Sequence, residues 1–415
     1  MKQVPQVAAL ALFSCAVSFA QTATEPNRRL ALIGGLIFAS STSTPIRDGV
    51  ILIQDGKISA VGRRGSAVIP GGTRTIDCRG LTITAGFWNS HVHFLERKWA
   101  NAGKIPASEL ASQLEEMLTR YGFTSVFDTW SPWENTRRLR ERIESGQVPG
   151  PRIRTTGEAL VPRGGTPPPL VADILGFTRY SVPEVSDAAE ASTAAVKLLD
   201  QGVDGIKMYV RTFSEPIASM PESAIKAATA EAHQRGKPAF AHPTNVDGLL
   251  AAVRAGVDVI VHTTPESGPW DETVVAAMKQ RNVALIPTLQ LWGYETRHER
   301  LSVRERFVEN GVGQLRAWVG SGGTVLFGTD VGYMADYNPS EEYDLMARAG
   351  MDYQQILSSL TTVPSAQFSS NPGGRVAVGL PADLVVLNQD PSRTVRAFVN
   401  VRYTIRDGNV IYMQK

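Results

Sequence analysis

Six side chains between positions 91 and 330 have types and spacing suited to one chemistry. His91 and His93 close the stretch 81–94, which reads as a β-strand. Side chains two apart on a strand share a face, so these imidazoles project together, about 6–7 Å apart along the strand. Two imidazoles so placed can hold one divalent metal ion; a packed or surface pair is the structural alternative. Lys207, His242, His262 and Asp330 also fall at or near the ends of apolar segments. Four of the chain's six histidines occupy such ends, whereas His233 and His298 lie in helical or helix-entry segments. Neutral imidazole and carboxylate suit Zn²⁺ and similar ions. A lysine buried beside such cations is costly as an ammonium. Carboxylation of its amine by CO₂ would turn it into a carbamate, whose two oxygens could bridge two metals. Each residue alone has a plain alternative: an ion-paired Lys207, a packed His242 or His262, Asp330 as a helix cap. Their recurrence at one end of successive strands favours a shared site.

The elements that must position these residues alternate. Strands are expected at 81–94, 124–127, 152–156, 205–210, 238–242, 257–263, 283–291 and 324–330. Helical patterns fall at 107–121, 133–145, 186–201, 221–235, 245–255, 271–281, 300–320 and 340–349, and many stop at glycine, as at Gly122, Gly146, Gly202, Gly236 and Gly256. Eight such units predict an α/β fold, a closed (β/α)₈ TIM barrel over 86–374, whose active site sits at the C-terminal ends of the strands. The alternative is an open doubly wound sheet, but no Gly-rich phosphate loop follows an early strand. Residues 28–84 and the tail read as all-β, with Gly56 and Asp407-Gly408 as hairpin turns. They predict a small β-sandwich domain composed of both termini, 21–85 with 375–415. The Pro/Gly-rich run 162–183 interrupts the rhythm and has the length of a lid or binding loop.

Bulk properties narrow the function. A 43% hydrophobic and 20% charged composition suits a globular chain. A net charge of +2 gives no case for nucleic acid or an anionic membrane as partner. Residues 1–20 read as a signal peptide: Lys2, an apolar run too short to span a bilayer, then small residues at Ser18 and Ala20. The mature chain is therefore expected to be periplasmic or secreted, with lipid attachment at Cys15 as a minor alternative. Once the signal is cut, Cys78 is the only thiol left and no intramolecular disulfide can form.

The His-x-His pair, Lys207, His242, His262, Asp330 and the tail segment 374–387 together resemble the amidohydrolase superfamily, in particular its imidazolonepropionase-like and metal-dependent prolidase branch. The resemblance spans nearly the whole mature chain. It implies that His91, His93 and Asp330 hold one metal and His242 and His262 a second, with carboxylated Lys207 and a hydroxide bridging them. It further implies an enzyme that cleaves an amide C–N bond, with two divalent ions, Zn²⁺ being the first expectation, and Asp330 moving the proton. Ala85 stands where the family often has proline, which bears on strand entry rather than on the ligands. Related deaminases often carry Glu three residues after the strand-five histidine; Asn245 stands there, which disfavours nucleobase deamination. Tyr209, two residues after Lys207, should face the same side. Arg211 and Arg163 could clasp a substrate carboxylate. Trp292 and Tyr294 could line an apolar pocket. The expected partner is a small amide or peptide, such as a dipeptide, an Xaa-Pro-like dipeptide or an N-acyl amino acid. A one-metal cyclic-amide hydrolase and a non-catalytic binding protein on the same barrel are the alternatives. Neither nucleic acid nor a membrane span is expected, and a homo-oligomer is compatible with the sequence.

Overall fold

The computed structural model describes residues 29–165, 182–212, 217–369 and 373–415. The expectations for the signal peptide, for Cys15 and for positions 166–181 of the Pro-rich run lie outside the described residues. No helix among those residues is long and apolar enough to cross a membrane.

The N-terminal strands are β1 (Arg29–Ile37), β2 (Ile46–Gln54), β3 (Lys57–Arg63), β4 (Arg74–Asp77) and β5 (Thr82–Ala85). Three strands, β6 (Phe87–Val92), β7 (Phe123–Asp128) and β8 (Arg152–Thr155), form a parallel sheet. Two short strands, β9 (Val161–Pro162) and β10 (Glu184–Val185), pair in parallel and pin the base of the Pro-rich run. A second parallel sheet orders β11 (Ile206–Tyr209), β12 (Ala239–His242), β13 (Val259–Val261), β14 (Ala284–Ile286) and β15 (Thr324–Val325). The tail supplies β16 (Leu384–Leu387), β17 (Val401–Arg406) and β18 (Asn409–Met413).

Strands from both ends of the chain meet in one eight-stranded sheet, where β5 pairs antiparallel with β16. The sheet curls: Ile58 of β3, at one end of the strand order, donates to Leu380 O at 2.9 Å and accepts from Gly379 N at 2.8 Å, just ahead of β16. Leu32, Ile51, Ile83, Val386 and Ile405 from five of its strands cluster inside the curl. One sheet thus folds over its own apolar face.

Hydrogen bonds link the two parallel sheets at both junctions. On one side Asp204 N donates to Thr155 O (2.7 Å) and Leu160 N to Lys207 O (2.9 Å). On the other, Ser90 N donates to Phe327 O (2.7 Å) and His93 N to Val331 O (2.8 Å). Strand alternation then separates two cores. Phe127, Phe240, Val259, Ile286 and Phe368 form an inner cluster. Ile206, Met208, Ala239, Ala241 and Ile260 turn the other way, into the shell of helices. His242 follows Phe240 at strand spacing, which aims its side chain toward the inner face.

Helix starts follow local chemistry. Asn245, the residue in the deaminase Glu position, accepts from Gly248 N at 2.9 Å and caps the helix Val246–Arg254. Asp271 does the same for Glu272–Gln280. Gly202, with φ +97°, ends the helix Ala188–Gln201 in a left-handed turn that any side chain would strain.

Three expected strands need correction. The segment 324–330 is a strand only over Thr324–Val325. The segment 283–291 is a strand only over Ala284–Ile286; residues Leu289–Glu295 are helical. Pro287 has no N–H to continue the ladder, and Thr288 turns left-handed at φ +44°. In the tail, where the sequence predicts a strand over 398–405, Val395–Val399 form a 3₁₀ turn and the strand starts at Val401.

Candidate metal centre and active site

Five of the six candidate side chains converge through direct contacts, and the sixth is buried beside them. Asp330 Oδ1 lies 3.0 Å from His91 Nε2 and 2.8 Å from His93 Nε2. The two Nε2 atoms are 3.3 Å apart. These three residues form a buried group able to hold a metal ion. The ring of His91 packs 4.8 Å from that of His262, which packs 4.6 Å from His242, which stacks 4.6 Å from Tyr209. One run of rings thus joins the first-strand pair to the histidines of β12 and β13.

Each anchored histidine is held from behind. His93 Nδ1 faces the Trp130 carbonyl at 2.8 Å, His91 Nδ1 faces Thr129 Oγ1 at 2.6 Å, and His262 Nδ1 faces Thr288 Oγ1 at 2.6 Å. Outer partners of this kind fix ring orientation and leave Nε2 for a metal. Burial holds His91, His242 and His262 well below the ordinary imidazole range, which keeps them neutral, the ligating form. Burial alone would raise Asp330. The His91 and His93 contacts outweigh it and hold the carboxylate well below its usual range.

Lys207 is 1% exposed, and among the described residues its Nζ has no hydrogen-bond partner. Burial brings it down to about 7, against the pull of Asp330. A buried amine without a hydrogen-bond partner is expensive as an ammonium and open to carboxylation as a neutral base. The donor set therefore fits divalent metal ions: neutral imidazoles, one carboxylate, and a lysine whose amine no other group engages by hydrogen bond.

The backbone pays for this convergence in strain. His262 (φ +75°), Asp330 (φ +64°), Thr244 (φ +65°) and Thr288 (φ +44°) all adopt left-handed conformations. All four lie just beyond the strands that carry the site, a placement in which strain is held only by surrounding contacts.

Above the metal group lies a cavity of about 650 Å³. Tyr209 and Trp292 line it. Arg163 does not line it: its guanidinium pairs with Glu190 at 2.5 Å on the outer surface. Arg211 does not line it either, and contacts Ser219 at 3.4 Å across a short bridge. Tyr294 packs beside the cavity wall against Tyr333. Sequence reasoning missed Trp130, which packs edge-on against both His93 and Tyr209. It also missed Thr129 and Thr288; each follows or closes a strand end, which is the one signal that could have marked them.

The amidohydrolase family model matches residues 82–411. The chain belongs to the amidohydrolase family. This amidohydrolase is thus an enzyme, a hydrolase. Its fold is of the TIM-barrel type shared by its structural neighbours. The crystal structure of a Xaa-Pro dipeptidase with bound methionine superposes with a TM-score of 0.79, at 22% identity, over 93% of this chain and 100% of that one. The ochratoxinase of Aspergillus niger superposes with a TM-score of 0.75, over 93% of this chain and 96% of that one, at 20% identity. In sequence, Aspergillus niger ochratoxinase is 22% identical over 422 residues, covering 91% of this amidohydrolase and 85% of the relative.

Proposed function

We propose that this amidohydrolase is an exported two-metal enzyme that cleaves an amide C–N bond in a small substrate, a dipeptide or N-acyl compound. The observation that carries the reading is Lys207: a buried amine with no hydrogen-bond partner among the described residues, beside a buried histidine cluster and an ionised aspartate. In this reading His91, His93 and Asp330 would hold one ion, His242 and His262 would hold another, and a carboxylated Lys207 would supply further oxygen ligands. When bound, two divalent ions, Zn²⁺ being the first choice, would lower the pKa of water at the site and polarise the scissile carbonyl.

The chain's own residues do the rest. Asp330 accepts the proton of the attacking water and delivers it to the departing nitrogen. Trp130, Tyr209 and Trp292 enclose the acyl group and exclude bulk water, which strengthens every charge interaction at the reacting bond. The Tyr209 hydroxyl, on the cavity wall, can donate to the oxyanion. In the same reading the hydrogen bonds between the two parallel sheets close a barrel over 86–374, and 21–85 with 375–415 form the small β-domain. Residues 1–20 direct export to the periplasm or beyond.

A one-metal cyclic-amide hydrolase is the second reading, favoured by the tight convergence of His91, His93 and Asp330 alone. A screen of dipeptides, N-acyl compounds and cyclic amides on metal-loaded protein tests the reaction. Release of a free amine from linear amides supports the proposal. Turnover confined to cyclic amides would replace it with the second reading. Lys207→Ala should abolish turnover, with partial rescue by short carboxylic acids.

A further inference from the structure

The cavity over the metal group has two unlike walls. Leu95, Trp130 and Tyr209 form one, and they belong to an apolar cluster with Ala159 and Val161. The other comes from the segments that follow β13 and β14. It carries three acidic side chains, Glu266, Glu295 and Glu299, among the aromatic faces of Trp292 and Phe307.

Among the described residues, no lysine or arginine lines the cavity, and none of the three glutamates forms an ion pair. Glu295 is positioned by the Tyr333 hydroxyl, which donates to Oε1 at 2.8 Å. The cation nearest Glu295 in sequence, Arg297, lies with its guanidinium 3.9 Å from the Tyr294 ring centroid and donates to the Tyr294 carbonyl. The two arginines with which the sequence suggested a carboxylate would pair are engaged by Glu190 and Ser219 outside the cavity.

We infer that the cavity selects amides whose end distal to the scissile bond carries a positive charge, an ammonium or guanidinium, over those ending in a carboxylate. The inference rests on the reading above that this cavity receives the substrate. A carboxylate in the cleft would face three like charges with low-dielectric walls behind them. A cation there meets those charges together with indole and phenyl faces, which attract cations through the ring quadrupole. The one-sided placement also orients the substrate: its apolar part lies against Trp130 and Tyr209, and its charged end points to the segments after β13 and β14.

The test has a binding arm and a turnover arm. Calorimetry on the purified full chain compares benzyltrimethylammonium, benzyl alcohol and benzenesulfonate. The cation should bind at least tenfold more tightly than the alcohol, and the sulfonate more weakly than either. Glu295→Gln and Glu299→Gln should each cut the cation-to-alcohol ratio severalfold, with circular dichroism verifying the fold. Sulfonate binding as tight as the cation's, or a ratio unmoved in both variants, would overturn the inference. In turnover, kcat/KM for N-acyl amides with a distal amine should exceed that for carboxylate-ended counterparts at least tenfold; the reverse order overturns it. Cation-selective binding with no hydrolysis of any amide would uphold the charge preference and refute the reaction proposed above.

Discussion

The backbone carbonyl of Trp130 sits 2.8 Å from Nδ1 of His93. A carbonyl only accepts, so His93 Nδ1 carries a proton, and Nε2 is the ring atom left to turn toward a metal. Thr288 works the same way one sector round. Its hydroxyl lies 2.9 Å from the Pro287 carbonyl, to which it can donate, and so receives the proton of His262 Nδ1. A backbone carbonyl thus sets the tautomer of His93, and a threonine that of His262.

The loop that holds Trp130 is itself tied to Asp128. This fully buried carboxylate accepts from Ser131 Oγ at 2.6 Å, Thr155 Oγ1 at 2.8 Å and Trp130 N at 3.4 Å. Asp128→Asn puts a donor where these donors converge. We expect about 10–100-fold weaker metal binding, the usual cost of losing an outer partner, and roughly 1–3 kcal/mol lower stability. Chelator competition measures the first and urea unfolding the second. Unchanged metal affinity would mean that the loop does not orient His91 and His93.

Gly332 holds the turn that follows Asp330. Its φ is +93°, and an added Cβ would overlap the His93 carbonyl. Gly332→Ala therefore forces either strain at a left-handed position or separation of the Asp330 turn from β6. A stability loss of roughly 2–4 kcal/mol is expected, with reduced metal content in the purified protein. A denaturation midpoint equal to the parent's would contradict this close approach.

Glu342 stabilises a helix 52 residues away in sequence. The Thr288 hydroxyl is occupied by His262, so it does not cap the helix Leu289–Glu295. Instead Glu342 Oε2 accepts from Gln290 N at 2.8 Å, while Oε1 has no partner. Burial pushes this carboxyl up to about 8 from an ordinary 4.5. The folded state therefore keeps a proton that the unfolded chain releases first. The acid costs nothing below about pH 4.5, and stability falls as pH rises from there to about 8. The ceiling on this loss is roughly 5 kcal/mol, at ~1.4 kcal/mol for each tenfold difference in proton affinity between the folded and unfolded chain. Glu342→Gln keeps the acceptor and removes the titration. Its melting temperature should exceed the parent's at pH 9 and approach it at pH 5. A gap that stays constant with pH would show that Glu342 is already ionised in the folded chain.

Much of this was legible from residue spacing because the barrel rhythm is local. His242 and His262 close runs of apolar residues, where a strand's end is visible, while His91, His93, Lys207 and Asp330 stand in or near such runs. The segment 283–291 misled because a fully buried helix and a buried strand are both continuously apolar, and only Pro287 hinted at the break. Arg163 and Arg211 misled for another reason. Their positions on rim loops could be read, but the direction of a long side chain depends on partners such as Glu190, which lies 27 residues on and gives no local signal. The roles of Trp130 and Glu342 were invisible for the same cause: each acts through a contact between distant parts of the chain. The curl of the terminal sheet likewise depends on Ile58 meeting Gly379 and Leu380, a pairing that no local pattern encodes.

The central claim is that these six side chains together hold two ions, with Lys207 as the link. Elemental analysis of metal-saturated, dialysed protein tests it most directly. Two equivalents per chain are expected for the parent, and one or none for Lys207→Ala. Two equivalents retained in Lys207→Ala, with turnover intact, would contradict it.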